Sequence, residues 1–296
     1  MEVINTILGM QHICNELRLQ NKKIAVVPTM GYLHQGHISL IEKATEVADI
    51  VITTLFVNPT QFAPNEDFNR YPRDLNSDFY LAKEAKSTYL FIPDTLEMYP
   101  KGFATTIIIN NVTEKFEGVF RPSHFQGVAT VVAKLFNITK PDFAIFGQKD
   151  YQQTLLITKL IKDLNFEINL IIAPTLRESD GLAMSSRNTY LSIEERQKAG
   201  IIFRAIEEAK GIIAKGEVKR QIINSYIHKC LRSIKEIRID YAAISLASTL
   251  EEPDIFFAGD KAVILIACYL GKTRLIDNSL ITFPNLLNDS NFIEGI

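Results

Sequence analysis

The chain has 296 residues, enough for about two domains and a substantial buried core. Hydrophobic residues make up 47% and charged residues 22%, which is ordinary globular usage. Lys and Arg total 32 against 34 for Asp and Glu, a formal net charge of -2, so no basic excess points to nucleic acid or an anionic membrane as the main partner; a locally basic phosphate pocket stays open. In chain order, residues 23–28 read as a buried strand, and apolar Leu40, Ile41, Ala44, Val47 and Ala48 recur at helical spacing over 37–48. Residues 50–57 form a β-branched run and so a second buried strand. A helix over 75–86 and a short strand over 89–92 follow. Residues 124–136 place Phe125, Val128, Val131, Val132 and Leu135 on one helical face. A strand over 143–146, a helix over 151–164 and a strand over 166–172 complete this part. Strands alternating with helices predict an α/β domain, a doubly wound, Rossmann-like parallel sheet with helices on both faces.

The pattern changes after Pro174. A polar loop over 177–188 precedes a helix that Ser192 caps, with Glu195 completing a capping box, running to about 214. A second helix over 218–234 and strands over 239–246 and 262–270 predict a smaller α+β domain. The boundary is set at residues 1–175 and 176–296, and residues beyond Ile281 read as a tail. Cys14, Cys230 and Cys268 are far apart and lack zinc or CxxC spacing, so reduced thiols in the cytoplasm are expected. The start of the chain reads as no secretory leader. The apolar run over 262–270 is far short of the roughly 20 residues that cross a bilayer.

The chemistry concentrates in Pro28-Thr-Met-Gly-Tyr-Leu-His-Gln-Gly-His37, between the first strand and the first helix. Ligands of doubly wound sheets bind at such turns, where unpaired N–H groups and the helix dipole suit phosphate oxygens. Gly31 and Gly36 allow close backbone approach, and His34 and His37, three apart, project to one side. The glycine spacing imitates a P-loop, but His37-Ile38 stands where Lys-Ser/Thr would contact phosphate and Mg²⁺; a GxGxxG fingerprint is absent as well. Imidazoles can instead donate to phosphoryl oxygens as charge builds. For an isolated HxxH, exposed histidines in a capping loop or a zinc pair would compete with this reading. A strand, two glycines and two histidines together point to nucleotide phosphates. Lys149, in Gly147-Gln-Lys-Asp150 beyond a predicted strand, can reach a phosphate, with Asp150 orienting it or contacting the nucleotide; a surface lysine beside a helix-capping aspartate is the plainer alternative.

Several separated motifs resemble those of the pantoate–β-alanine ligase family, within the HxGH nucleotidyltransferase superfamily. They are the histidine turn, Phe56-Val-Asn-Pro-Thr-Gln-Phe62, Asn65-Glu-Asp-Phe-Asn-Arg-Tyr-Pro-Arg73, His124-Phe-Gln-Gly-Val-Ala-Thr130, Phe146-Gly-Gln-Lys-Asp-Tyr-Gln-Gln153, Arg177-Glu-Ser-Asp-Gly-Leu-Ala-Met-Ser-Ser-Arg-Asn188 and, as a terminal strand, Arg274-Leu-Ile-Asp-Asn278. The likeness spans residues 20–281. It implies that pantoate's carboxylate attacks the α-phosphorus of ATP, giving pantoyl adenylate and pyrophosphate, and that β-alanine's amine then displaces AMP. It implies Mg²⁺ with the nucleotide, small-molecule partners only, and a homodimer.

The resemblance also implies residue roles. Met30, Gly31, Leu33, His34, Gly36 and His37 would hold ATP, with Gly147, Gln148, Lys149 and Asp150 across the sheet edge. His37, His34 and Lys149 would be catalytic, His37 first as the proton donor. Leu176 would meet the nucleotide through its backbone. Met184, Ser185, Ser186 and Arg187 match the second phosphate loop, whose hydroxyls and guanidinium suit a triphosphate; that loop is expected to close over the site from the second domain. Gln61 and Gln153 would bind pantoate, and Gln61 also β-alanine. Asp74 and Asp78 are the candidate metal ligands, although Ser77 interrupts the acidic cluster and ATP's own phosphates can hold the ion. Asn58, Tyr71 and Arg73 would shape the pocket or a dimer contact. A nucleotidyltransferase that stops at the transferred nucleotide shares the histidine turn and the Ser-Ser-Arg loop; the two glutamine motifs favour the ligase. A nucleotide-binding regulator without turnover is the third alternative.

Overall fold

The computed structural model describes residues 1–64 and 66–285; Asn65 of the 65–73 motif and the last eleven residues of the expected tail lie outside it. The chain divides into two compact units: Met1–Leu176 with Met184–Ser186, and Arg177–Ala183 with the chain from Arg187 onward. Compared with a cut after residue 175, Leu176 and Met184–Ser186 fall in the first unit. The local reason is that the Met184 N–H donates to the Leu176 carbonyl at 3.0 Å and Ser186 Oγ to the Tyr32 carbonyl at 3.3 Å.

The first unit runs β1 (Glu2–Ile4), α1 (Ile7–Leu19), β2 (Ile24–Thr29), α2 (Gln35–Thr45), β3 (Ile50–Leu55), α3 (Leu75–Glu84), β4 (Tyr89–Phe91), α4 (Thr95–Met98), α5 (Glu117–Phe120), α6 (His124–Thr139), β5 (Phe143–Gly147), α7 (Tyr151–Asp163) and β6 (Asn169–Ala173). Its six strands are all parallel, in the order β1-β4-β3-β2-β5-β6. Strand alternation sorts the core. Ile24 and Val26 of β2 pack with α1, α6 and α7, whereas Ala25 and Val27 pack with α2 and α3. The order reverses at β2, which has β3 on one side and β5 on the other, so a crevice opens beyond the carboxyl ends of β2 and β5.

β1 and α1 precede the first strand that the sequence pattern marks. Helix α1 is amphipathic in a quiet way: Met10 and Cys14 are buried one turn apart while His12, Asn15 and Glu16 interrupt the apolar pattern. The strand expected from 166 begins only at Asn169, because Asn165 takes a left-handed conformation to end α7 and the Phe166 N–H still bonds back to the Ile161 carbonyl.

The second unit holds α8 (Ile193–Ala199), α9 (Ile201–Ala214), α10 (Arg220–Leu231) and an antiparallel meander of β7 (Ile237–Leu246), β8 (Lys261–Leu270) and β9 (Thr273–Thr282). The Ser192/Glu195 capping box is present. The single helix expected to 214 is instead divided at Gly200, where a Cβ would lie 3.2 Å from the Asp180 carbonyl oxygen. Phe283, expected in the tail, is buried and stacks on Phe256 with ring centroids 4.5 Å apart.

Two motifs singled out in the sequence meet in this unit. Residues 177–183 form a tight reversal closed by the Arg177–Ala183 bridge. Arg177 then forks onto Asp277 of β9, with Nη1 at 2.6 Å and Nη2 at 3.0 Å from the two carboxylate oxygens. The Asp277 side chain is 2% exposed. Removing the guanidinium takes this charged fork away from a buried carboxylate, so Arg177→Met is expected to lower unfolding free energy by about 3 kcal/mol. Urea denaturation followed by circular dichroism checks this.

Candidate active site

The turn after β2 is built around its histidines. His34 caps α2: its Nδ1 accepts from the Gly36 N–H at 3.1 Å, and the His34 N–H donates to His37 Nδ1 at 3.3 Å. This is a reciprocal capping box made of two imidazoles. The ring centroids are 4.0 Å apart. Because each Nδ1 accepts from a backbone N–H, a neutral ring must carry its proton on Nε2. Burial, then the Lys149 ammonium, pushes the His34 pKa down to about 4. Burial, then His34 and Lys149, holds His37 well below its ordinary value. Both rings are therefore neutral at physiological pH, with Nε2–H free to act as a donor.

The backbone that presents them is constrained. Gly31 has φ 81°, and Tyr32 adopts φ 52°, a left-handed conformation unusual for a large side chain. Asp78 of α3 holds it there, accepting from Tyr32 N–H at 2.9 Å and Leu33 N–H at 2.6 Å. A Cβ at position 31 would stand 3.0 Å from Asp78 Oδ2. Thr29 Oγ1 accepts from the Gly31 N–H at 3.2 Å and donates to the Thr54 carbonyl of β3 at 2.7 Å. Beside the turn, a Cβ at Gly36 would meet Met184 Cβ at 3.7 Å, so the 184–186 segment returns to the histidines within the first unit.

Gly147, Gln148, Lys149 and Asp150 lie where β5 ends and a short 3₁₀ turn leads into α7. β5 pairs with β2, so the segment that carries Lys149 and the histidine turn leave neighbouring strand ends, and the Lys149 charge adds to burial in lowering both imidazoles. Gln61 sits in a 3₁₀ turn, Pro59–Gln61, beyond β3 and is buried. Its Nε2 donates to Met30 Sδ at 3.1 Å, which joins it to the histidine turn. Its amide polarity is set from behind. Tyr99 Oη donates to Asn58 Oδ1 at 2.8 Å, so Asn58 presents Nδ2 to Gln61 Oε1 at 3.2 Å and leaves Gln61 Nε2 as the donor. Of the adjacent glutamines in α7, Gln152 is occupied structurally, donating to the Val112 and Lys115 carbonyls and accepting from the Glu117 N–H. Gln153 is half-buried in the same first turn.

Other expected positions resolve differently. Asp74 and Asp78 were the metal candidates; Asp74 instead caps α3 by accepting from Ser77 N–H at 3.0 Å, and both Asp78 oxygens hold the histidine turn. Among the described residues no group of three or more His, Cys, Asp or Glu side chains could hold a metal, so the protein's own donor set does not fit a metal cage. Leu176 is partly exposed and meets Met184 through the backbone. Ser185 and Ser186 belong to the first unit, Arg187 to the second. Tyr71 is buried edge-on against Phe62, and Arg73 donates to the Tyr71 and Phe68 carbonyls, so these two hold the 68–73 stretch together.

Gln61 has supports whose roles the sequence pattern does not assign. Its carbonyl accepts from Arg121 and His124, and Gly127 of α6 packs so close that a Cβ would lie 2.4 Å from the Thr60 oxygen. The glycine inside an otherwise apolar helix was the signal available.

The family model described as pantoate-beta-alanine ligase matches residues 2–280. The chain belongs to the pantoate–β-alanine ligase family. A pantothenate synthetase of Thermoanaerobacter pseudethanolicus is 49% identical over 280 residues, covering 95% of this chain and 98% of that protein. One from Thermodesulfovibrio yellowstonii is 46% identical, covering 95% and 100%. The crystal structure of pantothenate synthetase from Thermus thermophilus superposes with a TM-score of 0.88 at 41% identity, covering 96% of this chain and 100% of that one. The pantoate-beta-alanine ligase of Francisella tularensis, complexed with beta-gamma ATP and beta-alanine, gives 0.77 at 35% identity over 95% and 97%. Membership of this ligase family makes the chain an enzyme of pantothenate synthesis.

The depressed imidazoles set a pH dependence. The folded ligase keeps His34 neutral, while the unfolded chain protonates it near 6.5, so stability present above 6.5 is lost as pH falls toward about 4. His34→Asn keeps a capping oxygen and removes one titrating ring. Its unfolding free energy is expected to fall less steeply across that window than that of the unsubstituted protein, as read by denaturation at a series of pH values.

Proposed function

We propose that the chain condenses (R)-pantoate with β-alanine using ATP, releasing AMP and pyrophosphate through a pantoyl adenylate. A pantoate carboxylate oxygen attacks the α-phosphorus as the bond to the bridging oxygen of pyrophosphate breaks. The β-alanine amine then attacks the acyl carbon, the C–O bond to AMP breaks with its electron pair leaving on the phosphate oxygen, and the amine gives up a proton. Activation is required because a free carboxylate holds no adequate leaving group.

The observation that carries this reading is the pair of neutral imidazoles whose Nδ1 atoms both accept from backbone N–H groups, which leaves Nε2–H as the donor, on the turn beyond β2 where the Lys149 charge reaches them. A neutral donor can strengthen its bond to a phosphoryl oxygen as negative charge grows, and two rings add no positive charge to repel Lys149. His37 is the proposed proton donor, with His34 beside it and Lys149 offsetting phosphate charge. Met30, Gly31, Leu33, Gly36, Gly147, Gln148, Asp150, Leu176, Met184, Ser185 and Ser186 are the proposed remainder of the ATP site. Arg187, next in the chain after Ser186, is proposed as a further contact to the phosphates, and water must be kept from the adenylate until the amine arrives. Gln61, polarised as a donor toward its neighbour, suits a carboxylate of pantoate or β-alanine, with Gln153 on pantoate. Mg²⁺ would arrive with ATP, neutralising phosphate charge while held by phosphate oxygens. The family likeness extends the proposal to a cytoplasmic homodimer acting on free small molecules, with no nucleic-acid or membrane partner. Among the described residues no helix is long and apolar enough to cross a membrane.

The test supplies ATP, Mg²⁺ and pantoate with and without β-alanine. AMP and pantothenate should form only with β-alanine, and pantoate-dependent pyrophosphate exchange should occur without it. His37→Ala and Lys149→Ala should each slow adenylate formation by roughly 10²-fold or more, the effect of deleting one transition-state donor. Nucleotide transfer that ignores β-alanine, or near-normal single-turnover rates in both variants, would contradict the proposal.

A further inference from the structure

Two buried basic side chains outside the phosphate turn converge on one backbone oxygen. The Gln61 carbonyl accepts from Arg121 Nη2 at 3.2 Å and from His124 Nδ1 at 3.0 Å. Both lone pairs of that oxygen are thereby used, which fixes its direction. Arg121 is fully engaged: Nε and Nη2 fork onto Glu66 at 2.6 and 2.7 Å, and Nη1 reaches Glu117 at 3.2 Å. Its side chain is only 11% exposed. Burial would raise the Glu66 carboxyl, but the hydrogen bonds and charge of Arg121, with the Ala63 backbone bond and His124, together outweigh it and hold the carboxyl below its ordinary value, so the pair is ionised. His124 opens α6 and is buried; burial, then the charge of Arg121, pushes it down to about 4, which leaves a neutral ring with its proton on Nδ1.

We propose that Arg121 and His124 are positioning residues of the acid-binding site. They clamp Gln61 by its carbonyl, and through Glu66 Arg121 couples that clamp to the loop over 62–73. The side-chain amide of Gln61 then projects from an anchored turn, its amide oxygen held by Asn58 and its backbone carbonyl by the clamp. The geometry of a binding group held by such supports is sensitive to small displacements. This inference rests on the reading that Gln61 binds pantoate.

The test compares His124→Leu, His124→Asn, Arg121→Lys and Gln61→Ala by steady-state kinetics with pantoate and ATP varied separately. His124→Leu and Arg121→Lys should each raise the pantoate KM by roughly 10-fold, about one lost hydrogen bond, with the ATP KM within about twofold. His124→Asn, whose Nδ2 stands near the place of Nδ1, should recover most of the loss. In a Gln61→Ala background, His124→Leu should add little, since the clamp acts through Gln61. The inference is overturned if Gln61→Ala raises the pantoate KM while the clamp variants do not, if ATP and pantoate KM rise together, or if the effects multiply independently. An unchanged pantoate KM in Gln61→Ala sinks the reading of Gln61 itself, a separate outcome. Should His124→Leu fail to fold, Arg121→Lys and His124→Asn are read in the same way: a pantoate-selective rise for the first and near-normal values for the second support the clamp, and any other pattern overturns it.

Discussion

The arrangement depends on two hydrogen bonds in which backbone N–H groups bind imidazole nitrogens: Gly36 to His34 and His34 to His37. A helix start leaves N–H groups without intrahelical partners, and most proteins satisfy them with Ser, Thr, Asp or Asn. Histidine in this position does something those residues cannot. Its Nδ1 takes the capping role and its Nε2, on the far side of the ring, becomes an obligatory donor. Capping thus fixes which ring nitrogen donates, and desolvation keeps the rings neutral so that the donor polarity persists.

That decision is supported by strain and burial elsewhere. Tyr32 would not remain left-handed without Asp78 taking two consecutive N–H groups, and Gly31 is needed so that the carboxylate can approach. The same logic governs Gln61. Its amide is oriented by Asn58, its carbonyl is held by Arg121 and His124, and its turn sits against a glycine because any Cβ would displace it. In both halves of the site, a side chain that would face substrate is fixed by buried groups that would not.

The β2–turn–α2 unit was legible because its signals are local: an apolar strand, glycines that allow close approach, and histidines at helical spacing. The parallel sheet was legible for the same reason, since strand and helix periods alternate plainly from 23 to 172. What escaped was long-range. The hold of Asp78 on the histidine turn is invisible in sequence because its backbone partners lie 45 and 46 positions away. Arg121 and His124 reach Gln61 across 60 and 63 positions. Helix α1 was passed over because polar residues between Met10 and Cys14 blur its apolar stripe. At Gly200 the close approach of Asp180 leaves little room for a side chain, a tertiary contact that helix propensity does not encode.

The central claim is the protonation state and tautomer of two rings. Nitrogen NMR of the protein labelled in histidine, assigned through His34→Asn and His37→Asn, reads both directly near neutral pH. The account predicts that His34 and His37 are neutral with the proton on Nε2 in each. A proton on Nδ1 of either ring, or a charged imidazolium, would contradict it.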